Sequence, residues 1–152
     1  VMISNHYCNY NRDVFSNITL QIPNGIVYLD MWMVKSLSVG LRGHVSLEFR
    51  AIKSQPFHRV FDYDLDYCAM LNNPRVSLSR RWYLSMLKNG NFAVSCPILP
   101  RYYYLYGWKP DGNLVPSFLT LGDYRIIASF YYGKFRENTE KPLLKCTAQA
   151  NL

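Results

Sequence analysis

The sequence predicts a mainly β domain: a two-sheet, immunoglobulin-like β-sandwich or β-cup with one helix between Cys68 and Cys96, and two disulfides. Three observations predict it. Short alternating runs rich in Tyr and Val recur between Gly, Pro and Asn clusters, the pattern of an all-β chain. Only the segment between Cys68 and Cys96 carries clear helical spacing. Cys8, Cys68, Cys96 and Cys146 are even in number, dispersed and free of any CxxC pair, as in a disulfide framework. With 152 residues and 49% hydrophobic content, residues 1–152 are long enough for one domain with a real core.

Each element follows from its local pattern. Residues up to Asn11 hold Cys8 and read as a first strand or an extended arm. Phe15–Ile22 alternates loosely and ends at the turn Pro23-Asn24-Gly25. Ile26–Val34 puts Val27, Leu29, Met31 and Met33 on one face, with Tyr28, Asp30 and Trp32 on the other. The aspartate marks the solvent face, so both methionines turn inward. Val39–Gly43 reads as a turn, after which Val45, Leu47 and Phe49 alternate against His44, Ser46, Glu48 and Arg50. In the next run Phe57, Phe61, Tyr63, Leu65 and Tyr67 face away from His58, Asp62, Asp64 and Asp66. Arg59-Val60 interrupts that register, and the strand is expected to end at Cys68. Ile26–Val34 and the strand of Val45, Leu47 and Phe49, adjacent and with one apolar face each, are expected to make a meander.

The helix is expected to enter at Asn73-Pro74, a capping side chain followed by proline at the first helical position. Leu78, Trp82 and Met86 form its apolar stripe, and Asn89-Gly90 closes it in the left-handed conformation. Arg75, Arg80, Arg81 and Lys88 decorate the remainder. A Cys68–Cys96 bridge would staple this helix over the sheet it leaves, although four cysteines allow three pairings. Downstream lie a tyrosine-laden strand, Arg101–Trp108, and a turn, Lys109–Asn113. Leu114–Leu121 is apolar but holds Pro116, which makes it an exposed loop or an edge strand. Tyr124–Tyr132 turns Tyr124, Ile126, Ala128 and Phe130 to one side; a charged loop, Lys134–Lys141, precedes the last strand with Leu144, Cys146 and Ala148.

Reactive chemistry is scarce. There is no Gly-x-Ser-x-Gly elbow and no His-Glu-x-x-His pair, and Ser85-Met86-Leu87-Lys88 fits a bare Ser-x-x-Lys without its companion motifs. No catalytic residue and no cofactor is therefore expected. His6, His44 and His58 are scattered. Asp62, Asp64 and Asp66 form a row with neighbours about 7 Å apart. Such a row is more often a solvated face paired with Lys or Arg than a calcium site, so no metal is expected. The net charge of +7 suits anionic lipid, glycans or acidic proteins, and serves solubility equally well. No stripe of Lys and Arg interleaves with aromatics, so nucleic acid is not an expected partner.

Asn17-Ile18-Thr19 is a glycosylation acceptor triplet. Together with the cysteines, and with a start at Val1 that lacks a leader-like run, it raises the expectation of a mature secreted protein. No stretch is long and apolar enough for a membrane helix. The apolar residues are then the informative ones. Met31, Met33, Val45, Leu47, Phe49, Phe61, Leu78, Trp82, Met86, Leu105, Phe118, Ile126 and Phe130 are more bulk than a thin sandwich easily interleaves, although each alone suits an ordinary core. The loop Val115–Leu119 is a segment that a soluble monomer has little reason to expose.

Asp66-Tyr67-Cys68, the leucine-bearing helix, Cys96-Pro97-Ile98, Tyr102-Tyr103-Tyr104 and Gly122-Asp123-Tyr124-Arg125 carry a resemblance. Over roughly residues 26 to 132 the chain resembles a large group of secreted insect proteins, mostly without assigned functions, that includes Che-type chemosensory proteins. That group is distantly similar to the ganglioside activator and other MD-2-related lipid-recognition proteins. The resemblance implies a β-cup that holds lipid tails between its sheets without catalysis, and a bridge between terminal strands that matches Cys8 with Cys146. The expected function is extracellular binding, transport or presentation of a lipid or pheromone-like ligand by the apolar residues above. Arg75, Arg80, Arg81 and Lys88 would receive a polar head group or touch an anionic membrane, and a receptor ectodomain is a further partner. The alternative is an extracellular protein–protein module with a fully packed sandwich and an exposed tyrosine surface.

Overall fold

The computed structural model describes residues 2–73, 75, 77–110, 117–133 and 142–152. Pro74, the turn 111–113, the loop residues Val115 and Pro116, and the charged loop 134–141 lie outside the described residues. Among the described residues, eight strands and two α-helices follow in order: β1 (Met2–Tyr10), β2 (Phe15–Gln21), β3 (Val27–Met33), β4 (Leu41–Arg50), β5 (His58–Asp66), α1 (Tyr67–Asn72), α2 (Leu78–Leu87), β6 (Tyr102–Trp108), β7 (Asp123–Tyr132) and β8 (Leu144–Asn151). The strands make two antiparallel sheets, a five-stranded one ordered β1-β8-β7-β4-β5 and a three-stranded one ordered β2-β3-β6. The fold is the expected mainly β sandwich with one main helix. Its bridges are Cys8–Cys146 and Cys68–Cys96.

Alternation sets which face of each strand is buried. In β3 the inward residues Val27, Leu29, Met31 and Met33 meet Trp108, Leu105 and Tyr103 of β6 and the β2 residues Leu20, Ile18 and Phe15. In the large sheet one row runs Leu65–Gly43–Phe130–Leu144, the next Tyr63–Val45–Ala128–Cys146–Cys8, and the next Phe61–Leu47–Ile126–Ala148. Cys8 and Cys146 sit directly opposite each other on β1 and β8, so that bridge joins two strands already in register. β4 starts at Leu41, inside the stretch read as a turn, and pairs with β5 and β7; β3 lies in the other sheet, so the expected β3–β4 meander does not form. A register shift between Leu47 and Glu48, opposite Phe61 and Arg59, leaves Val60 as the extra residue. It reverses the alternation upstream. Phe57 is thereby placed beneath the guanidinium groups of Arg50 and Arg125 on the polar side, not with Phe61.

The helical region differs from the sequence reading in three ways. First, β5 stops at Asp66, whose carboxylate accepts from the Ala69 amide and starts α1, so Cys68 lies in a helix. Asn73, expected to cap the main helix, instead ends α1, and Ser77 caps α2 through the Arg80 amide. Second, the buried side of α2 is centred on Tyr83, flanked by Trp82 and Met86, while Leu78 in the first turn is 43% exposed. Third, Gly90 is absent from the left-handed region. Its smallness matters because a Cβ there would lie 2.5 Å from the Tyr104 carbonyl oxygen, and the end of α2 could not then approach β6.

Candidate functional site

Between the sheets lies a cavity of about 320 Å³. The small sheet supplies one wall through Leu29, Met31, Met33 and Tyr103, and β4, β7 and β8 supply the opposite one through Leu41, Phe130 and Leu144. Tyr67 of α1 and Tyr83 and Met86 of α2 close one side, with Phe92 from the following segment. Leu37 and Ile98 pair through two backbone hydrogen bonds, of 3.0 and 2.7 Å, and line the cavity too. The Cys68–Cys96 bridge ties α1 to the segment that carries Ile98.

Among the described residues, the only side-chain polar atoms in this lining are three tyrosine hydroxyls, and all are engaged within the protein. Tyr67 donates to the Tyr83 hydroxyl at 2.8 Å, and Tyr83 in turn donates to the Ala93 carbonyl. Tyr103 donates to the Leu99 carbonyl at 2.6 Å. Burial pushes the Tyr83 phenol up to about 12, and raises Tyr67 and Tyr103 as well, so all three stay neutral around pH 7. A void with satisfied hydroxyls and hydrocarbon walls gives water few of the two to four partners it needs. It suits an apolar guest.

Four of the residues singled out from sequence line this cavity: Met31, Met33, Met86 and Phe130. The others lie elsewhere. Val45, Leu47, Phe49, Phe61 and Ile126 occupy the same inner face of the large sheet, but in rows beyond Phe130, where Val45 is 37% and Phe61 36% exposed. Phe118, 67% exposed, leans on Phe61 with ring centroids 6.5 Å apart. Leu105 is buried in a neighbouring cluster with Val27 and Trp108, against which Trp82 packs, and Leu78 points outward. Alternation fixes the face of a strand, whereas the helix and the small sheet decide which part of it is roofed.

The sequence reading missed Tyr83, Leu37, Phe92 and Ile98. Tyr83 could have been found by treating tyrosine as apolar, since it precedes Met86 and Leu87 by three and four residues. The other three sit outside any periodic segment, where spacing gives no orientation. Among the basic residues, Arg75, Arg81 and Lys88 are exposed. Arg80 is not available in the expected way. Its guanidinium donates to the Met70 and Leu71 carbonyls at 2.9 and 3.2 Å and closes the C-terminal end of α1. Ser85 accepts from the Trp108 indole at 3.0 Å, a structural role for the Ser-x-x-Lys serine.

On the outer face of the large sheet the acidic row meets β4. Asp62 accepts from Ser46 at 2.7 Å and contacts His44 at 3.0 Å; Asp64 pairs with Arg42 at 2.8 Å and accepts from Tyr131. Burial tends to raise both carboxyls, but these hydrogen bonds and the nearby cations hold them below the usual range. Ser46 and His44, read as solvent-directed, are largely covered by this network. Among the described residues, no group of three or more His, Cys, Asp or Glu side chains is arranged to hold a metal ion.

Residues 43–126, more than half of the chain, match a family described as protein of unknown function (DUF1091). The chain belongs to that family. The matched stretch of this DUF1091 protein contains β4 from Gly43 onward, β5, both helices, β6 and the Cys68–Cys96 bridge, and with them the lining residues Tyr67, Tyr83, Met86, Phe92, Ile98 and Tyr103. The cavity's other walls lie outside the match: Leu29, Met31 and Met33 on β3, and Leu41, Phe130 and Leu144 on the large sheet. No curated protein matches the chain.

Proposed function

We propose that this DUF1091 protein binds a hydrophobic ligand between its two sheets and carries or presents it outside the cell. The observation that carries this reading is the apolar cavity of about 320 Å³, whose tyrosine hydroxyls are already paired. Its size falls within the range of small-molecule pockets. Extracellular location is supported by two disulfides, which persist in oxidising compartments, and no described helix is long and apolar enough to cross a membrane. The resemblance to chemosensory and MD-2-related lipid-recognition proteins favours a lipid, a cuticular lipid or a pheromone-like molecule. Exposed Arg81 and Lys88 on α2, with Arg75 before it, would meet a polar head group or an anionic membrane surface during loading.

Native mass spectrometry of protein purified from its natural source tests the proposal, with a retained apolar mass as the expected result. Met31→Trp should fill the void, cut uptake of a hydrophobic fluorescent probe and leave stability nearly unchanged. In a packed core the same change would cost about 1–3 kcal/mol. A second reading, a protein–protein module, is favoured by the outer face of the small sheet, where Tyr28, Trp32 and Tyr106 are exposed. Absence of any retained ligand together with a destabilised Met31→Trp would select it.

A further inference from the structure

We propose that Asn17 carries an N-linked glycan whose first sugar rests on the ring of Trp32, which Tyr102 backs. The proposal depends on the extracellular location argued above, but not on the cavity. Asn17 and Thr19 of the acceptor triplet are exposed on β2, a strand at the edge of its sheet, while Ile18 between them is buried. Asn17 lies directly opposite Trp32 on β3, and Trp32 directly opposite Tyr102 on β6. Residues paired in this way share a face, with Cβ atoms about 4.5–5.5 Å apart. One line of side chains therefore crosses the whole small sheet on its outer face.

That line is built like a seat for a sugar. The Trp32 and Tyr102 rings are 5.0 Å apart and tilted by only 34°, and Trp32 keeps 39% of its surface exposed. At that spacing and tilt Tyr102 stacks against Trp32 and holds it rigid, and the exposed Trp32 surface can take the C–H face of a pyranose at low entropic cost. The polar edge is provided for as well. Thr19 lies opposite Asp30, and Asp30 Oδ1 accepts from the Tyr102 and Tyr106 hydroxyls, which leaves Oδ2 for a sugar hydroxyl. The Tyr10 hydroxyl donates to Asn17 Oδ1 at 3.4 Å, and Nδ2, the atom that bonds the sugar, has no hydrogen-bond partner among the described residues. A glycan held this way would lie across an edge strand and shield it from pairing with other chains.

The test uses the full chain, routed through the secretory pathway of a eukaryotic host by an added leader. Intact mass gives occupancy at Asn17. Melting temperature is then compared for three forms: full glycan, glycan trimmed to its first N-acetylglucosamine, and glycan removed by an amidase. Asn17→Gln serves as a never-modified control for the aspartate that the amidase leaves. The full and trimmed forms should melt together, about 2–4 °C above the two bare ones, the shift expected when one contact is lost from a domain of this size. In Trp32→Thr the glycosylated and bare forms should melt alike. An unmodified Asn17, equal melting of all wild-type forms, or a shift that survives Trp32→Thr undiminished would overturn the proposal. Ligand retention, measured on the same samples, reports separately. Its absence would count against the carrier reading and leave the glycan seat standing.

Discussion

The inner face of the five-stranded sheet has two halves that share a chemistry and differ in what lies above them. In the enclosed half, Phe130 and Leu144 face the methionines of β3 and the tyrosines of both helices across a void. In the open half, Val45, Leu47 and Phe61 continue the same face, one and two rows along, with partial exposure. No change in residue type marks the border. It falls where the roof ends, since the covering side chains of the small sheet and the helices enclose the row of Phe130 and not those of Val45 and Leu47. Hydrophobic character thus assigns a residue to a face. Tertiary contacts decide whether that face becomes core, cavity or groove.

The disulfides allow the largest test of this difference, because only one of them holds the helical segment that closes the cavity. Cys8–Cys146 lies in the row of Val45 and closes a separation of 138 residues; Cys68–Cys96 holds α1 beside the enclosed half over a separation of 28. The chain-entropy model gives about 5 kcal/mol for the first and about 3.6 kcal/mol for the second, both near the upper end of what is observed. Replacing Cys8 and Cys146 by alanine should therefore lower stability more in denaturant unfolding. Replacing Cys68 and Cys96 should cost less, yet release a bound hydrophobic probe more readily, because it frees the lid. Equal probe release by the two variants would count against a lid function for the helical segment.

Tyr83→Phe acts on the enclosed half alone. It removes the acceptor of the Tyr67 hydroxyl and the donor to the Ala93 carbonyl in one change. Two polar groups at the lining are left unpaired, at a cost of about 1–3 kcal/mol. Thermal unfolding should register the loss, and affinity should shift towards ligands that carry a hydrogen-bonding group. Unchanged stability would mean that water reaches the site and replaces both contacts.

Most of the architecture was legible in the sequence because it rests on period-two alternation: the inward methionines of β3, the outward Tyr28, Asp30 and Trp32, and the facing rows of β4 and β7. The extra residue at Val60 marked itself as a break, although its consequence for Phe57 was missed. The cavity was less legible. Leu37, Phe92 and Ile98 come from irregular segments, where no period predicts orientation. Arg80 shows a second limit. A basic residue near a helix end looks free in sequence, but it can be consumed by the carbonyls of the preceding helix.

The outer face of the same sheet can be perturbed without touching either half of the inner one. Asp62 and Asp64 have carboxyl groups held below their usual value of 3.8 by Ser46, His44, Arg42 and Tyr131. A carboxyl depressed in the folded state stabilises it above the unfolded value, and that contribution fades as pH falls through the lower folded value. Stability should accordingly hold down to about pH 4 and decline below it. Asp62→Asn with Asp64→Asn should flatten that acid limb in a pH series of thermal melts, whereas Met31→Trp should leave its slope alone. An acid limb of the same slope in the double variant would assign the loss to other carboxylates.

The smallest effect belongs to the open half, and it decides how far a ligand reaches. Val45→Thr with Leu47→Thr places a β-branched residue at both positions of β4 and changes the apolar surface that follows Phe130. Because these positions are partly exposed, each change should alter stability by no more than about 0.5 kcal/mol. A ligand confined to the enclosed half would not notice. A long acyl chain that leaves the cavity over Phe130 would lose apolar contact worth about 0.8 kcal/mol per methylene, so its affinity should fall by roughly threefold to tenfold. A benzene-sized probe should bind the double variant as tightly as the parent protein. If the long-chain probe also binds undiminished, the ligand ends at Phe130, and the open half with Phe118 beside it must serve a different contact.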